Sequence, residues 1–280
     1  MKERRIIEKI QGFRSKDGAG VSLVRVLGHD NVYDFDPFLM LDSFDSTDPR
    51  EYQAGFPTHP HRGIETVSFI AKGSITHGDH LGTKATIHDG EAQWLTAGSG
   101  VFHSEQPGGD ELLGLQLWLN MPAKDKMTAP PAYHDILKKE IQEFKFDGGK
   151  LRLITGEYQG HKGWQGKYLP LDYYDIHLEP DAKITVDVKE KNTVMIFTLK
   201  GDVTSGGSHV AEKTAARLID GDSVTIEAGK YGARVMLMSA PPTGEPIAWY
   251  GPIVMNTQNE LRTAVRELNE GTFIKAKTSY

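Results

Sequence analysis

The distribution of apolar and polar residues along the chain is typical of short β-strands. Val21–Leu27 reads V-S-L-V-R-V-L, and this roughly alternating pattern fits a strand with one buried face. Residues 72–74, Lys-Gly-Ser, read as a turn. Regular alternation of strands and turns favours an all-β sandwich or barrel over an α/β fold. The other short apolar runs lie at residues 35–44, 66–71, 86–88, 92–96 and 113–119.

One helix is indicated near the C-terminus. Thr257 and Glu260 have the spacing of a capping box, in which each side chain bonds the backbone N–H of the other residue. Gly271 supplies the stop signal. The apolar face of the helix is predicted to consist of Leu261, Val265 and Leu268.

The two halves of the chain resemble each other. Residues 69–76 (F-I-A-K-G-S-I-T) match residues 197–204 (F-T-L-K-G-D-V-T) at an offset of 128, and residues 89–98 match residues 220–229 at an offset of 131. Residues 121–131 break the strand pattern and read as a connector, and a second β-rich region runs from about 151 to 239. We therefore predict two tandem β-barrel domains, residues 1–140 and 141–280, followed by a short helix at the end of the second.

Histidines are concentrated in the first domain. Six of the eleven fall between residues 59 and 105, and two of these lie in the sequence His59-Pro60-His61. A third begins the sequence His103-Ser104-Glu105. Since residues i and i+2 of a strand point to the same face, each sequence presents two ligand side chains together. Three imidazoles and one carboxylate suit a first-row transition metal with coordination positions left for a reactant.

The second copy of the repeat lacks these ligands. At the offsets given above, the four positions 59, 61, 103 and 105 fall on Asp187, Lys189, Arg234 and Met236. The second domain keeps the turns and loses the ligand set, so we expect one metal site per chain.

Composition narrows the possible functions. The chain has no cysteine, which excludes disulfides, cysteine zinc sites and thiol catalysis. A net charge of −6 argues against a broad surface for nucleic acid or anionic membrane. No apolar run approaches 18 residues, and the first residues have no signal-peptide core. We expect a cytoplasmic protein with no membrane span and no direct contact with nucleic acid.

The spacing of glycine, histidine and glutamate resembles the cupin superfamily. The first motif is G55-x3-H59-x-H61-x3-E65-x7-G73, and the second is G90 followed by A-G-S-G-V-F-H at 97–103. Residues 56–67, 93–105, 114–127 and 251–256 are more narrowly similar to the pirin family, so the resemblance covers nearly the whole chain.

The resemblance implies a bicupin fold with a single mononuclear metal site in the first barrel. The metal is usually iron, so Fe²⁺ is expected, with Mn, Ni, Cu, Co or Zn as alternatives. It also implies quercetin 2,3-dioxygenase activity, in which O₂ opens a flavonol ring and carbon monoxide is released. Pirins also act as non-catalytic, redox-sensing transcriptional cofactors, which would require a protein partner. A different cupin enzyme with the same ligands is a third reading.

The identity of the carboxylate ligand is open from the sequence. Many cupins use the glutamate of the first motif, here Glu65, whereas pirin-like sites take it from the His-x-Glu of the second. We favour His59, His61, His103 and Glu105 as the ligands. Glu105 is also the candidate catalytic base by family analogy. Glu65 is then expected to pair with Arg62 or to hydrogen-bond a ligand imidazole.

The remaining residues of this region have simpler interpretations. His77, His80 and His88 are predicted to be solvated histidines in turns or at strand ends, with the alternative that one of them borders the mouth of the pocket. Trp94 and Trp118 are predicted to be core residues rather than platforms for a substrate, because buried aromatic side chains dominate β-barrel interiors.

Overall fold

A computed structural model of the chain describes residues 1–275, and these residues are mostly β-strand. The long helix is α2 (Gln258–Asn269), preceded by one short turn of helix, α1 (Ala123–Lys126), and by 3₁₀ turns at His29–Asn31 and Pro49–Glu51. The strands of the first half are β1 (Arg5–Gln11), β2 (Phe13–Asp17), β3 (Val21–Leu27), β4 (Phe38–Ser46), β5 (Phe56–His61), β6 (Ile64–Asp79), β7 (Lys84–His88), β8 (Glu91–Thr96), β9 (Val101–Asn120) and β10 (Ala132–Ile136). Those of the second half are β11 (Gln142–Phe146), β12 (Gly149–Thr155), β13 (Glu157–Tyr158), β14 (His161–Lys162), β15 (Asp172–Leu178), β16 (Lys183–Asp187), β17 (Thr193–Lys200), β18 (Val203–Ser205), β19 (Ser208–Val210), β20 (Thr214–Ile219), β21 (Ser223–Ala228), β22 (Ala233–Ala240), β23 (Ala248–Tyr250) and β24 (Ile253–Met255).

The chain forms two compact units that are not contiguous halves. Unit 1 contains Met1–Phe13, Val24–Pro37 and Leu137–Pro242, and unit 2 contains Arg14–Leu23, Phe38–Ile136 and the chain from Thr243 onward. The predicted division into 1–140 and 141–280 differs from these units at both ends of the chain. The physical reason is pairing: β1 is hydrogen-bonded to β20 within unit 1, while Leu261 and Ala264 of α2 pack into a core cluster of unit 2.

Unit 2 is organised around two long antiparallel strands. Its sheet follows the order β10-β8-β6-β9-β4, with β5 paired to β9 and β7 paired to β6. β6 and β9 run side by side from Ile64↔Asn120 to Asp79↔His103. Along this ladder, side chains of β9 alternate between buried (His103, Glu105) and less buried (Ser104, Gln106). The ladder therefore sends both candidate ligands of β9 to the interior.

The turn predicted at residues 72–74 is instead a bulge inside β6. The pairing of β6 with β9 shifts register on both sides of Lys72. Gly73 has φ +92°, and a Cβ placed there would collide with the carbonyl of Glu111, so the position requires glycine. β6 bends at the bulge and continues to Asp79. This extension carries His77 beside the candidate site.

Unit 1 has one apolar core shared by two sheets. A seven-stranded sheet follows the order β1-β20-β17-β22-β15-β12-β11, and a four-stranded sheet follows the order β16-β21-β18-β19. Leu153 and Val235 of the larger sheet and Val186 and Ile226 of the smaller belong to the same cluster of buried residues. Alternate positions of the strands fill this core, as in sandwiches and barrels.

The C-terminal helix begins where its capping box predicts. Thr257 Oγ1 accepts a hydrogen bond from Glu260 N at 3.2 Å, and Glu260 Oε2 accepts one from Thr257 N at 2.8 Å. Leu261 is buried, and Leu268 packs against the same cluster. Within residues 1–275 we find no helix with the length and apolar character needed to span a bilayer. The cytoplasmic location remains a prediction.

Candidate metal centre

The pairing of β5 with β9 brings the three predicted histidine ligands together. His59 lies directly opposite His103 in the ladder. The ring centroids are 4.4 Å apart for His59 and His103, 4.8 Å for His59 and His61, and 5.0 Å for His61 and His103. One potential ligand atom from each ring lies within 4.8 Å of the other two. His61 and His103 are buried and His59 is half-buried, so the cluster opens on the His59 side.

Hydrogen bonds orient the rings of His59 and His61 so that Nε2 of each faces the cluster. His59 Nδ1 lies 2.8 Å from the carbonyl of Pro57, and His61 Nδ1 lies 2.9 Å from that of Pro252. A carbonyl only accepts, so each Nδ1 carries the hydrogen and each neutral ring has its lone pair on Nε2. These two Nε2 atoms are 3.1 Å apart, and the buried Nε2 of His103 has no hydrogen-bond partner among the described residues. Two lone pairs that face each other, beside a third ring nitrogen without a hydrogen-bond partner among the described residues, fit a shared metal cation.

Burial keeps two of the imidazoles neutral, as metal binding requires. It lowers the pKa of His61 to about 3, helped by the neighbouring His59 ring. It also lowers the pKa of His103 well below its usual range, with a further contribution from the other histidines. Both rings are therefore unprotonated near pH 7 and available as ligands.

The Glu105 carboxylate lies inside the barrel but is not a member of the tight histidine group. Its Oε1 accepts a hydrogen bond from Gln93 Nε2 at 2.5 Å, and its Oε2 accepts one from Gln116 Nε2 at 2.7 Å. The hydroxyl of Ser68 lies 3.4 Å from Oε1. Both oxygens are thus held by amide donors, which fix the orientation of the carboxyl group. Its assignment as fourth ligand and as base stays a prediction.

Glu65 occupies a separate buried site. Its Oε1 accepts hydrogen bonds from Trp94 Nε1 at 3.0 Å and from Thr96 Oγ1 at 2.6 Å, rather than from Arg62 or a ligand imidazole. Its Oε2 has no partner among the described residues. Burial raises the pKa of Glu65 to about 7, although the bonds from Thr96 and Trp94 oppose the rise.

The raised pKa of Glu65 predicts a pH-dependent loss of stability. Below its ordinary pKa of 4.5 the carboxyl is protonated in both folded and unfolded chains and costs nothing. As pH rises from 4.5 to 7, this carboxyl ionises in the unfolded chain before it ionises in the folded chain. Its contribution therefore lowers the free energy of unfolding by roughly 3 kcal/mol. The buried histidines add the same pH dependence to both proteins, so we expect the melting temperature of metal-free Glu65→Gln to rise relative to that of wild type between pH 5 and pH 8. The exposed Glu227→Gln variant serves as control, and parallel pH profiles for wild type and Glu65→Gln would contradict the assignment.

His77 lies beside the candidate site and is not the solvated histidine that the sequence predicts. It is fully buried, and its ring stacks on Tyr133 with centroids 4.3 Å apart and an angle of 20°. In the ladder it lies opposite Glu105. The alternation of buried and less buried residues continues along β6 beyond residue 74 and would have placed His77 on a buried face. The turn predicted at 72–74 hid this pattern. His80 is half-buried and its Nδ1 accepts the backbone N–H of Phe102, whereas His88 is exposed as predicted.

Both tryptophans are buried, and one of them also contacts the candidate site. Trp94 is a core residue, as predicted. The ring of Trp118 stands edge-on against His61 at 4.9 Å and lies 5.8 Å from the ring of Trp249. The indole pair therefore forms an aromatic wall next to a candidate ligand.

Arg62 ties the end of β5 to the C-terminal part of unit 2. It is 1% exposed and donates hydrogen bonds to the carbonyls of Ser99 and Phe273 and to Glu267 Oε2 at 2.7 Å. Its guanidinium also lies 4.1 Å from the centre of the Phe273 ring. Arg62 follows His61 directly, so these contacts and the Pro252 carbonyl fix the backbone and ring on which His61 depends.

Family models match both halves of the chain. Residues 20–119 match the model of pirin, and residues 173–274 match that of the pirin C-terminal cupin domain. The chain belongs to the pirin family. Its two domains are of cupin type, which confirms the predicted all-β bicupin fold with a short C-terminal helix.

Individual pirin relatives extend the comparison. A Pseudomonas aeruginosa protein named provisionally as a quercetin 2,3-dioxygenase is 38% identical, over 96% of this chain and 97% of its own. The crystal structure of a quercetin 2,3-dioxygenase from Acinetobacter baumannii is 33% identical with a TM-score of 0.88, over 97% of this chain and 99% of its own. A bacterial pirin from Escherichia coli, solved in complex with nickel(II), shares the fold at 24% identity and a TM-score of 0.64, over 84% of this chain and 99% of its own.

Proposed function

We propose that this pirin is a metal-dependent flavonol 2,3-dioxygenase that opens the heterocyclic ring of quercetin with O₂ and releases carbon monoxide. The observation that carries the proposal is the convergence of three histidine rings in a largely buried cluster, with the Nδ1 atoms of His59 and His61 hydrogen-bonded to carbonyls. The names of the Pseudomonas and Acinetobacter relatives support the substrate class.

The proposed metal is a single Fe²⁺ held by His59, His61, His103 and Glu105, with Mn, Ni, Cu, Co or Zn as alternatives. A bacterial pirin from Escherichia coli was solved in complex with nickel(II), so a protein of this fold can bind a transition metal. When bound, such a metal supplies Lewis acidity and a meeting point for a flavonol and O₂.

In this proposal Glu105 takes the proton of the flavonol 3-hydroxyl. Its oxygens already accept hydrogen bonds from Gln93 and Gln116, which hold the carboxyl group in place. Because Glu105 is also a proposed metal ligand, it can act as the base only with an oxygen that is free of both the metal and its amide partner. Gln93 and Gln116 thus orient the base.

Trp118 and Trp249 suit a planar aromatic substrate. Trp118 is buried against His61, and the half-buried ring of Trp249 lies 5.8 Å from it, so Trp249 offers a flat apolar surface on which a flavonol can stack. Metal analysis of protein purified without added metal, followed by oxygen-electrode assays with a panel of flavonols, tests the proposal. Stoichiometric metal with no oxygen uptake would favour the non-catalytic, redox-sensing role and a protein partner.

We also expect one metal ion per chain, because unit 1 does not reproduce the histidine cluster. Lys189 is bonded to Asp172 at 3.2 Å, Arg234 is bonded to Asp175 at 2.8 Å, and Met236 is buried. Within residues 1–275 the histidine trio of unit 2 is the group of three or more candidate side chains close enough to hold a metal. Native protein should contain one equivalent by elemental analysis. Two equivalents, both removed by a chelator, would contradict this expectation.

A further inference from the structure

A buried row of three side chains leads away from the histidine cluster. His103 Nδ1 lies 3.5 Å from His77 Nδ1, and His77 Nε2 lies 3.0 Å from Asp79 Oδ2. The side chains of His77 and Asp79 are 0% exposed. The ladder between β6 and β9 sets this arrangement, because it pairs Asp79 with His103 and His77 with Glu105.

The direction of the hydrogen bonds in this row is fixed at its Asp79 end. Asp79 Oδ1 accepts the backbone N–H groups of Leu81 at 2.9 Å and Thr83 at 3.0 Å, which leaves Oδ2 for His77. A carboxylate only accepts, so His77 Nε2 carries the hydrogen, and Nδ1 of a neutral His77 is an acceptor. His103 Nδ1 must then donate, which leaves the lone pair of His103 on Nε2, inside the cluster.

We propose that Asp79 and His77 are positioning residues that set the tautomer of His103 for metal binding. The inference rests on the proposed role of His103 as a metal ligand. His59 and His61 obtain the same tautomer from backbone carbonyls. His103 has no carbonyl in this position and obtains it from a carboxylate through a second imidazole. Partners of this kind commonly contribute 10- to 100-fold in metal affinity, as an order of magnitude.

Tyr133 supports the row and connects it to the carboxylate of the site. Its ring stacks on His77, which fixes the plane of the imidazole so that its two nitrogens point to Asp79 and His103. Its hydroxyl donates to Gln93 Oε1 at 3.2 Å, so the amide group of Gln93 is turned toward Glu105. Burial raises the pKa of Tyr133, so the phenol stays a donor.

The decisive variant is Asp79→Asn, which keeps the shape of the side chain and reverses the direction of the hydrogen bonds along the row. The asparagine Oδ1 continues to accept from Leu81 and Thr83, so its NH₂ group faces His77. His77 Nε2 must then accept, its Nδ1 must donate, and His103 must carry its hydrogen on Nε2. We expect ¹⁵N-histidine NMR of metal-free protein at pH 8 to show His103 as the Nδ1–H tautomer in wild type and as Nε2–H in the variant. Calorimetry with Ni²⁺ should show affinity lowered by about 10- to 100-fold.

Two further variants separate this role from mere packing. His77→Phe retains the stacking on Tyr133 and removes both hydrogen bonds. His103 then loses its acceptor but is not forced into the Nε2–H tautomer, so Ni²⁺ affinity should fall less than in Asp79→Asn. A packing role predicts the opposite order, since Asn is the smaller change. Asp89→Asn is the matched control, because Asp89 also accepts a backbone N–H, that of Gly73, and lies outside the row. It should leave Ni²⁺ affinity unchanged.

The melting temperature of each metal-free variant shows whether the fold is retained. The proposal is overturned if wild-type His103 is the Nε2–H tautomer, or if folded Asp79→Asn binds Ni²⁺ as tightly as wild type. Neither measurement depends on dioxygenase turnover, so an inactive protein with these tautomers would reject the proposed activity and keep this inference.

Discussion

Iron-loaded protein is expected to consume O₂ in the presence of quercetin and to liberate carbon monoxide while the absorbance band of the flavonol disappears. The physical reason is that a flavonol 3-oxygen can approach the cluster formed by His59, His61 and His103, with Glu105 nearby to accept its proton. Oxygen-electrode and carbon monoxide measurements on the same sample check the stoichiometry of the ring opening.

The controls for this reaction remove one requirement each. Metal-free protein should be inert, and His61→Ala loaded under the same conditions should match it. A flavone without the 3-hydroxyl should bind poorly and fail to react, since it has no proton to give and no oxygen anion to present. A complete absence of oxygen uptake with several metals and several flavonols would reject the dioxygenase and favour the binding protein.

Removal of any one of the three imidazoles is expected to lower bound metal from one equivalent to well below stoichiometric. His59→Ala, His61→Ala and His103→Ala each delete one of three Nε2 donors that face a common point. Metal content by elemental analysis after chelation and reloading measures the effect. His88→Ala is the matched control, because His88 is an exposed histidine of the same unit, and it should keep full occupancy.

The same measurement decides between the two glutamates. Glu65→Gln should keep the metal, because Glu65 is bound to Trp94 and Thr96 outside the cluster, whereas Glu105→Gln should weaken binding. An empty site in Glu65→Gln combined with full occupancy in Glu105→Gln would show that the choice of carboxylate is wrong.

The sequence was informative wherever a local pattern determines the structure. The i,i+2 pairs place His59 with His61, and the capping box places the start of α2, because both depend only on residues a few positions apart. The internal repeat indicated two β domains of one type. These features can be predicted without knowing which strand pairs with which.

Features that depend on strand register could not be read in the same way. The bulge at Gly73 continues β6 where glycine usually signals a turn, and His77 was misplaced as a consequence. The amides of Gln93 and Gln116 reach Glu105 from β8 and from a distant part of β9. The first strand belongs to unit 1 and the C-terminal helix to unit 2, and this assignment also depends on long-range pairing, as β1 with β20 illustrates.

The carbonyl that orients His61 has a consequence for the order of events during synthesis. Pro252 lies 191 residues after His61, and the Glu267 partner of Arg62 lies 205 residues after Arg62. At ribosomal rates of about 5–20 residues per second, Pro252 is made roughly 10–40 s after His61. A nascent chain that already exposes all three imidazoles still lacks the group that sets the tautomer of one of them. We therefore expect metal capture at full affinity to follow translation of the hairpin β23–β24.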